Sequence, residues 1–118
     1  MAASPAVPTS ELQLSTEKKS EETIVRGAGK ITSATADLLQ STIRGLIPGA
    51  KRIVLDLTDV NYVDSSGLGA LVTVYMAASR ANCDLELANP KQRIRDLLKV
   101  TNLASVFEGH GENYFGGM

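Results

Sequence analysis

The hydrophobic and polar positions of this chain follow two periods, one of about two residues and one of about 3.6 residues. The run RIVLDL at residues 52–57 is rich in β-branched side chains and predicts a strand that is covered on at least one face. ETIVRGAG at 22–29 and CDLELA at 83–88 predict two shorter strands. In the last of these, Leu85 and Leu87 alternate with polar neighbours, so we expect them to share one face of a sheet.

The segments between and after these strands have the apolar spacing of amphipathic helices. We expect Thr32 or Ser33 to cap the first helix and the Pro48–Gly49 pair to end it. Asn89, just before a proline, is expected to cap the third helix, and Asn102 to stop it in a left-handed conformation. The positions predicted to face inward are Ala34, Leu38, Leu39, Thr42, Ile43 and Leu46 in the first helix, Leu68, Leu71, Val72, Tyr75 and Met76 in the second, and Ile94, Leu97 and Leu98 in the third.

Strands that alternate with helices imply a mostly parallel sheet, because parallel neighbours need a crossover connection. The predicted fold is a single α/β domain at residues 21–108, with a last short strand at 106–108. Residues 1–20 are rich in Ser, Thr, Pro, Lys and Glu and are expected to form a polar tail; an edge strand around Glu11–Leu14 is the alternative. Residues 109–118 are rich in glycine and are expected to form a flexible C-terminal tail.

Composition narrows the class of protein. A chain of 118 residues with 43% hydrophobic residues suits one compact domain, and with aromatics at 4% its core must be mostly aliphatic. The net charge of -1 lacks the basic excess of nucleic-acid binders, which argues against a nucleic-acid partner. No apolar run is long enough for membrane insertion, the first ten residues lack the features of a secretory signal, and Cys83 is a single cysteine. Together these features predict a cytoplasmic protein.

The motifs of common enzymes are incomplete in this sequence. The segment RGAGKIT has Ile31 where a P-loop needs Ser or Thr to bind magnesium. Gly67 and Gly69 lack the third glycine of a dinucleotide fingerprint, because Val72 takes its place. The single histidine, His110, lies in the glycine-rich tail, where it makes a poor general base for a serine and no metal cluster with the distant cysteine. The protein is therefore not expected to be an enzyme, or to bind a metal or a cofactor.

The stretch YVDSSGLGALV, at residues 62–72, joins the best strand to the second helix. One interpretation is structural, since Asp64 or Ser65 can cap that helix. The other is a phosphate acceptor, because turns at the carboxyl end of a parallel sheet collect functional residues and a helix start favours an anion on Ser65 or Ser66. A phosphate would add about -1.5 to -2 charges, enough to repel a matched partner surface, although Asp64 would oppose it by like-charge repulsion.

The outer side of the second helix is predicted to be small and apolar rather than charged, and its members are Ala70, Thr73, Val74, Ala77 and Ala81. A solvated helix face normally carries charges, so this face is predicted to bind a partner protein. A second layer of the same chain or a dimer mate would also cover it, and the oligomeric state stays open.

The longer segment VLDLTDVNYVDSSGLGALVTVY, residues 54–75, resembles the STAS domain, which anti-sigma-factor antagonists share with the cytoplasmic tails of sulphate transporters. GKITSATADLL at 29–39 and LELANPKQRIRDLLKVTNLASVFE at 85–108 resemble other parts of that domain, so the likeness covers about residues 23–107. The Asp-Ser-Ser-Gly-Leu-Gly run is its specific part. The resemblance implies a mixed, mostly parallel sheet with helices packed mainly on one side.

The resemblance also implies a function, which is partner switching. An unphosphorylated antagonist of this type binds an anti-sigma-factor serine kinase and thereby frees the sigma factor; phosphorylation ends the binding, and a phosphatase resets the protein. The phosphoacceptor then matches Ser65, between Asp64 and the loop residues Ser66, Gly67 and Gly69. ATP would belong to the kinase, so no cofactor is expected here. The rival functions are a non-phosphorylated scaffold subunit of a membrane transport complex and a hydrolase that uses Ser65.

Two features depart from the family pattern. Thr32 stands where the family usually has an acid near the start of the first helix, so polar recognition at that point is expected to differ. The family often ends in a further helix, whereas this sequence ends in the glycine-rich run GHGENYFGGM at residues 109–118.

Overall fold

The computed structural model describes residues 11–105, in which four strands and three helices follow one another. The elements are β1 (Leu12–Lys19), β2 (Glu22–Ile31), α1 (Ala36–Leu46), a short 3-10 turn (Ile47–Gly49), β3 (Arg52–Val63), α2 (Ser65–Arg80), β4 (Asp84–Ala88) and α3 (Gln92–Val100). The strand predicted at 106–108 and the C-terminal tail predicted at 109–118 lie outside the described residues.

The four strands form one sheet in the order β1-β2-β3-β4. β1 pairs antiparallel with β2, whereas β2 with β3 and β3 with β4 are parallel pairs joined through α1 and α2. Right-handed crossovers that step in the same direction across a sheet place their helices on the same face. α1 and α2 accordingly pack against each other and against one face of the sheet, so the predicted mixed, mostly parallel sheet with helices mainly on one side is confirmed.

The covered face of the sheet supplies the core. Val25, Leu55 and Leu87 are Cα partners on three adjacent strands, and all three are fully buried under the helices. The core is almost wholly aliphatic, as the low aromatic content predicted. Leu39 and Ile43 of α1 complete it from the helical side, which confirms the inward face predicted for that helix.

The opposite face of the sheet carries charged pairs. Arg52 Nη2 lies 2.6 Å from both Glu86 carboxylate oxygens, and Arg26 Nη1 lies 2.9 Å from Glu17 Oε1. Glu86 is buried among these strands, so it needs the guanidinium of Arg52 to balance its charge. Because its side chains are charged and paired, this face of the sheet can remain in contact with solvent. Helices are therefore needed to cover only the opposite, apolar face.

The prediction of a polar tail up to residue 20 is wrong for residues 12–19, which form the edge strand β1. Its register with β2 runs from Leu12 opposite Gly29 to Lys19 opposite Glu22. Leu12 is fully buried, while most of the other side chains in β1 are exposed. Because most of its side chains are exposed and only one leucine is fully buried, β1 has the amino-acid composition of a polar tail. The alternation of Leu12 and Leu14 with polar residues is the one sequence signal that indicates a strand here.

β3 is longer than the predicted RIVLDL strand and continues through TDVNYV to Val63. β4 pairs only with its first part, Arg52–Asp56. The remainder stays paired with β2 through two register shifts, which fall after Arg26 and Gly29 of β2. These irregularities explain why polar turn-forming residues occur inside a strand, since a bulge accommodates an extra residue that a regular ladder would exclude.

The side of α2 that faces the core overlaps the predicted side only in part. Ala70 and Val74, predicted to lie on the outer face, are 2% and 0% exposed, whereas Met76, predicted to face inward, is 45% exposed. The reason is that α2 packs on the sheet and on α1 together, so its buried arc is wide and includes small residues that fit close to a neighbouring helix. Leu68 and Leu71 lie within this arc, as predicted.

The predicted helix starts also need correction. Thr35, not Thr32 or Ser33, is the residue before α1, and α3 follows Lys91 rather than Asn89. Ala34 precedes α1 and is exposed, and Asn89 adopts a left-handed conformation at φ 56° in the turn after β4.

The predicted stop at Asn102 is confirmed, with φ 61°. The Leu103 amide donates to the Leu98 carbonyl at 2.9 Å, so α3 closes with a left-handed C-terminal turn. None of the helices within residues 11–105 has the length and apolar character needed to cross a membrane.

Candidate functional site

The site is built where β3 ends and α2 begins. Asp64 has an extended backbone, and its Oδ1 accepts a hydrogen bond from the Gly67 amide at 2.8 Å. Its carbonyl accepts from the Leu68 amide at 2.8 Å, and its own amide donates to the Ile31 carbonyl of β2 at 3.2 Å. Asp64 is therefore the N-cap of α2 and is fixed to a neighbouring strand.

This arrangement decides which residue does the capping. Since Asp64 fills that role, Ser65 and Ser66 are the first two residues of α2, and both are exposed. The first N–H groups of a helix have no partner within it, and they give this end of α2 a partial positive charge. An anion on either serine would lie next to these donors, with the Asp64 carboxylate opposing it from the preceding position.

Gly67 allows α2 to start close to β2. A Cβ atom at this position would lie 1.9 Å from the Ile31 carbonyl oxygen, so any other residue would force the two elements apart. The same carbonyl accepts the hydrogen bond from the Asp64 amide. Close packing against β2 therefore requires a glycine at position 67. The sequence pattern alone does not show that Gly67 and Gly69 differ in this respect.

Gly69 is in the opposite situation. It is exposed within the helix, and a Cβ atom added there would meet no atom within 4 Å. Glycine in a helix interior costs about 0.5–1 kcal/mol relative to alanine. Nothing in the packing of residues 11–105 requires that cost.

The exposed side of α2 that begins at the two serines is here called the serine face, and it comprises Ser65, Ser66, Gly69, Thr73 and Met76. These residues fall within about a third of the helix circumference at about 100° per residue. Thr73 is half-buried, and its hydroxyl donates to the Gly69 carbonyl at 2.9 Å. The serine face contains no charged side chain from Ser65 to Met76, and the exposed Arg80 follows on the same side in the last turn of α2.

The predicted partner-binding set is only partly available for contact. Ala70 and Val74 belong to the core, as described above, and so do not reach a partner. Thr73 and Ala77 are half-buried, and Thr73 lies on the serine face. The burial of Val74 in particular could not be read from its apolar character, since both faces of α2 are apolar.

The loop between β2 and α1 lies beside the serines, and the sequence pattern alone did not place it there. The buried Thr35 hydroxyl accepts from the Thr32 amide and donates to the Lys30 carbonyl, both at 2.9 Å. Thr32 Oγ1 in turn accepts from the Ala34 amide at 3.2 Å. Thr32 therefore makes the kind of local hydrogen bond that an acid at the same position would make. The Thr-x-x-Thr spacing was the signal that could have identified this loop.

Candidate residues for other chemistry do not gather here. Among residues 11–105, no group of three or more His, Cys, Asp or Glu side chains is placed to hold a metal ion. Cys83 is buried at the end of α2, and burial raises the pKa of its thiol. His110 lies outside the described residues.

Comparison with known proteins identifies the STAS domain, which the sequence resembles. The STAS domain family model matches residues 13–114. The anti-sigma-B factor antagonist of Bacillus subtilis is 29% identical over 92 residues, which cover 77% of this chain and 84% of that protein. The corresponding antagonist of Listeria monocytogenes is 31% identical over 83 residues, which cover 69% of this chain and 72% of that protein.

Solved structures agree in fold. An anti-sigma factor antagonist from Mycobacterium paratuberculosis superposes with a TM-score of 0.72 at 20% identity, over 90% of this chain and 87% of that one. The Bacillus cell fate determinant SpoIIAA in its phosphorylated form gives a TM-score of 0.64 at 18% identity, over 79% and 86% of the two chains. With the family match spanning most of its length, this chain belongs to the STAS domain family.

Proposed function

We propose that this protein is an anti-sigma-factor antagonist that acts by partner switching. In its unphosphorylated form it binds an anti-sigma-factor serine kinase through the serine face, and phosphorylation of Ser65 ends that binding. The names of its relatives support the general role, since those from Bacillus subtilis and Listeria monocytogenes are anti-sigma-B factor antagonists. The phosphorylated form of SpoIIAA supports the modification in a protein of the same fold.

The observation that carries the proposal is that Asp64, rather than a serine, caps α2. Ser65 is therefore exposed at the first position of the helix and is not needed to satisfy the backbone there. A kinase can reach its hydroxyl without unfolding α2. A capping serine would have to give up its hydrogen bond before it reacted.

The chemistry requires nothing from this chain except the hydroxyl. The Ser65 Oγ attacks the γ-phosphorus of ATP held by the kinase; a new O–P bond forms, the bond to the ADP oxygen breaks, and the hydroxyl proton passes to a base of the kinase. The phosphatase reverses the modification with water, which attacks the phosphorus and releases inorganic phosphate. ATP thus belongs to the partner, and this chain acts as a substrate and not as an enzyme.

The change in binding follows from charge. The serine face is uncharged, and a phosphate adds about -1.5 to -2 charges at its end. A partner surface shaped for neutral hydroxyls and a glycine would have to bury that charge without a counter-ion, which costs several kcal/mol. In this proposal the kinase binds the form with a neutral Ser65 hydroxyl, and the phosphatase acts on the form that carries the phosphate.

The experiment is mass spectrometry of the intact protein purified from its native cells, with fragmentation to locate any phosphate. We expect one phosphate on Ser65, absent from the Ser65→Ala variant and retained by the matched Ser66→Ala control. A phosphate that persists in Ser65→Ala would contradict the assignment of the acceptor. A protein that is unmodified under every growth condition would favour the scaffold role, in which the same face binds a partner without a kinase.

A further inference from the structure

β1 is the edge strand of the sheet, and within residues 11–105 no strand pairs with its outer side. Its eight residues, Leu12–Lys19, run in an unbroken register with β2. They include no proline and no bulge, which are two of the features that keep an exposed edge from pairing. β1 therefore offers an intact template for one further strand.

The backbone groups on the outer edge follow from one hydrogen bond. The Lys30 amide donates to the Glu11 carbonyl at 2.7 Å, and the register of β1 with β2 continues this pairing. Because the residues of an antiparallel strand bond alternately to either side, the odd-numbered residues of β1 bond to β2 and the even-numbered ones point away from it. The N–H and C=O groups of Leu14, Thr16 and Lys18 accordingly lie along the outer edge, where they can bind a further strand.

The space beside this edge is accessible. Every side chain from Ser15 to Lys19 is exposed, on both faces of the sheet. The helices pack mainly against β2, β3 and β4, so they do not obstruct a strand that lies alongside β1.

The charges of β1 suit a second copy of the same strand. In an antiparallel pair centred on Thr16, Glu17 lies opposite the Ser15 hydroxyl of the other copy, and no two like charges within β1 are opposed. A pair centred on Glu17 would place two carboxylates directly opposite each other, which is destabilising. The distribution of charge therefore favours the register that is centred on Thr16.

The two lysines of β1 also find suitable neighbours in this register. The aliphatic stem of Lys18 lies opposite the half-buried Leu14 of the other copy and can cover it. The ammonium group of Lys19 lies opposite the Gln13 amide, whose oxygen accepts hydrogen bonds. Each exposed side chain of the strand thus has a compatible partner on the second copy.

We propose that β1 is a homodimer interface, at which two copies join their four-stranded sheets edge to edge into one continuous sheet. The outward backbone groups of Leu14, Thr16 and Lys18 would supply about six hydrogen bonds across the two-fold axis. None of the interface residues belongs to the serine face, so the dimer is separate from the proposed switch. The inference does not depend on whether Ser65 is phosphorylated.

The first test is sedimentation equilibrium of the full chain from about 20 µM to about 1 mM, because an edge contact is small and gives a weak dimer. We expect dimers at the highest concentrations. A monomer at every concentration would overturn the proposal. Growth beyond a dimer would overturn it too, since a two-fold contact closes on itself.

Amide hydrogen exchange measured by NMR locates the contact. Exchange at Thr16 and Lys18 should be about threefold slower at about 1 mM than at about 50 µM protein, because their N–H groups gain acceptors in the dimer. The amide of Ser33, in the exposed β2–α1 loop, is the control and should exchange at one rate. A dimer that leaves the exchange of Thr16 unchanged would use another surface and would contradict the proposal.

Two substitutions at one position test the hydrogen bonds themselves. Thr16→Pro removes an outward N–H and leaves the bonds to β2 in place, whereas Thr16→Ser keeps that N–H and is the matched control. Because the two-fold axis removes the bond from both copies, Thr16→Pro should raise the dimer dissociation constant about tenfold, and Thr16→Ser less than about twofold. Equal dissociation constants would show that the edge is not the contact. Circular dichroism checks the folding of both variants, and amide exchange in the native chain decides if Thr16→Pro does not fold.

Discussion

Gly67 and Gly69, which are separated by one residue in α2, differ in whether packing requires a glycine at their position. Gly67 is held against the Ile31 carbonyl, where a Cβ atom would lie at 1.9 Å. Gly69 has open space around it and weakens the helix without any packing gain in the described residues. Gly67 is therefore needed for the fold, whereas Gly69 leaves space on the serine face, which we propose as the partner-binding surface.

Substituting each glycine by alanine separates these roles. Gly67→Ala should destabilise the protein by about 3 kcal/mol, because the new methyl group must displace either β2 or the start of α2. Gly69→Ala should stabilise it by about 0.5–1 kcal/mol, because alanine is the better helix former. Urea unfolding followed by circular dichroism measures both. Equal effects of the two substitutions would contradict the close approach at Gly67.

Asp64 offers a test of the cap itself. Asp64→Ala should reduce the free energy of unfolding by about 1 kcal/mol, because the Gly67 amide loses its acceptor. Asp64→Asn keeps an oxygen in the same place and should lose less than half as much. The measurement is again urea unfolding, and a loss of the same size in both variants would point to the charge of Asp64 rather than its hydrogen bond.

Among the helices and strands, the order of the elements and the buried side of α1 were predictable, whereas the buried side of α2 was not. The strand-helix alternation gave the parallel sheet, because only crossover connections fit it. The orientation of α2 was not predictable from its apolar spacing, since Ala70, Val74 and Met76 are all apolar and only contact with α1 decides which of them is buried. β1 was missed as a full strand because its exposed face has the composition of a tail.

Asp56 in β3 is expected to make the stability of the protein depend on pH. Burial raises the pKa of Asp56, but hydrogen bonds from the Thr58 hydroxyl at 2.6 Å and the Thr58 amide at 3.0 Å outweigh it, and the pKa lies below its usual value. A depressed pKa in the folded state stabilises the protein at pH values above the unfolded pKa of about 3.9, and this contribution is lost as the pH falls through the folded value.

The expected result is a difference between two proteins at two pH values. The native chain should lose more unfolding free energy than Asp56→Asn between about pH 5 and about pH 3, because the asparagine cannot take up the proton. Urea unfolding at the two pH values measures it. Parallel losses would show that Asp56 contributes no pH dependence and that other carboxylates account for it.

At the scale of the whole domain, the start of α2 with Ser65 and Ser66 is fixed to the sheet. α2 packs on α1 and on the sheet, and its N-terminus is bonded to β2. The Asp-Ser-Ser-Gly run predicted the importance of this turn from the sequence, with Ser65 as the acceptor that we propose, whereas the neighbouring β2–α1 loop became visible only in three dimensions. A change of charge at Ser65 therefore acts on a surface that the rest of the domain holds in place.

Ser65→Asp tests that view. An acid in the first turn of a helix is favourable by about 0.3–1 kcal/mol, and repulsion from Asp64 offsets part of it. The free energy of unfolding should change by less than about 1 kcal/mol, with an unchanged far-ultraviolet circular dichroism spectrum, while phosphorylation in native cells is abolished. Ser66→Asp is the control for added charge. A Ser65→Asp variant that loses helical signal would mean that the modification acts by melting α2.

The hydrogen bond between the Asp64 amide and the Ile31 carbonyl also has a consequence for the kinase that we propose. Many protein kinases accept their targets as flexible, extended segments that adapt to the catalytic cleft. Here the proposed acceptor, Ser65, is the first residue of α2 and follows an aspartate that is bonded to β2, and a synthetic peptide that copies residues 60–70 would lack that geometry. The kinase of the proposed switch is therefore expected to recognise the folded domain rather than a linear sequence, and to have a catalytic cleft open enough to admit it.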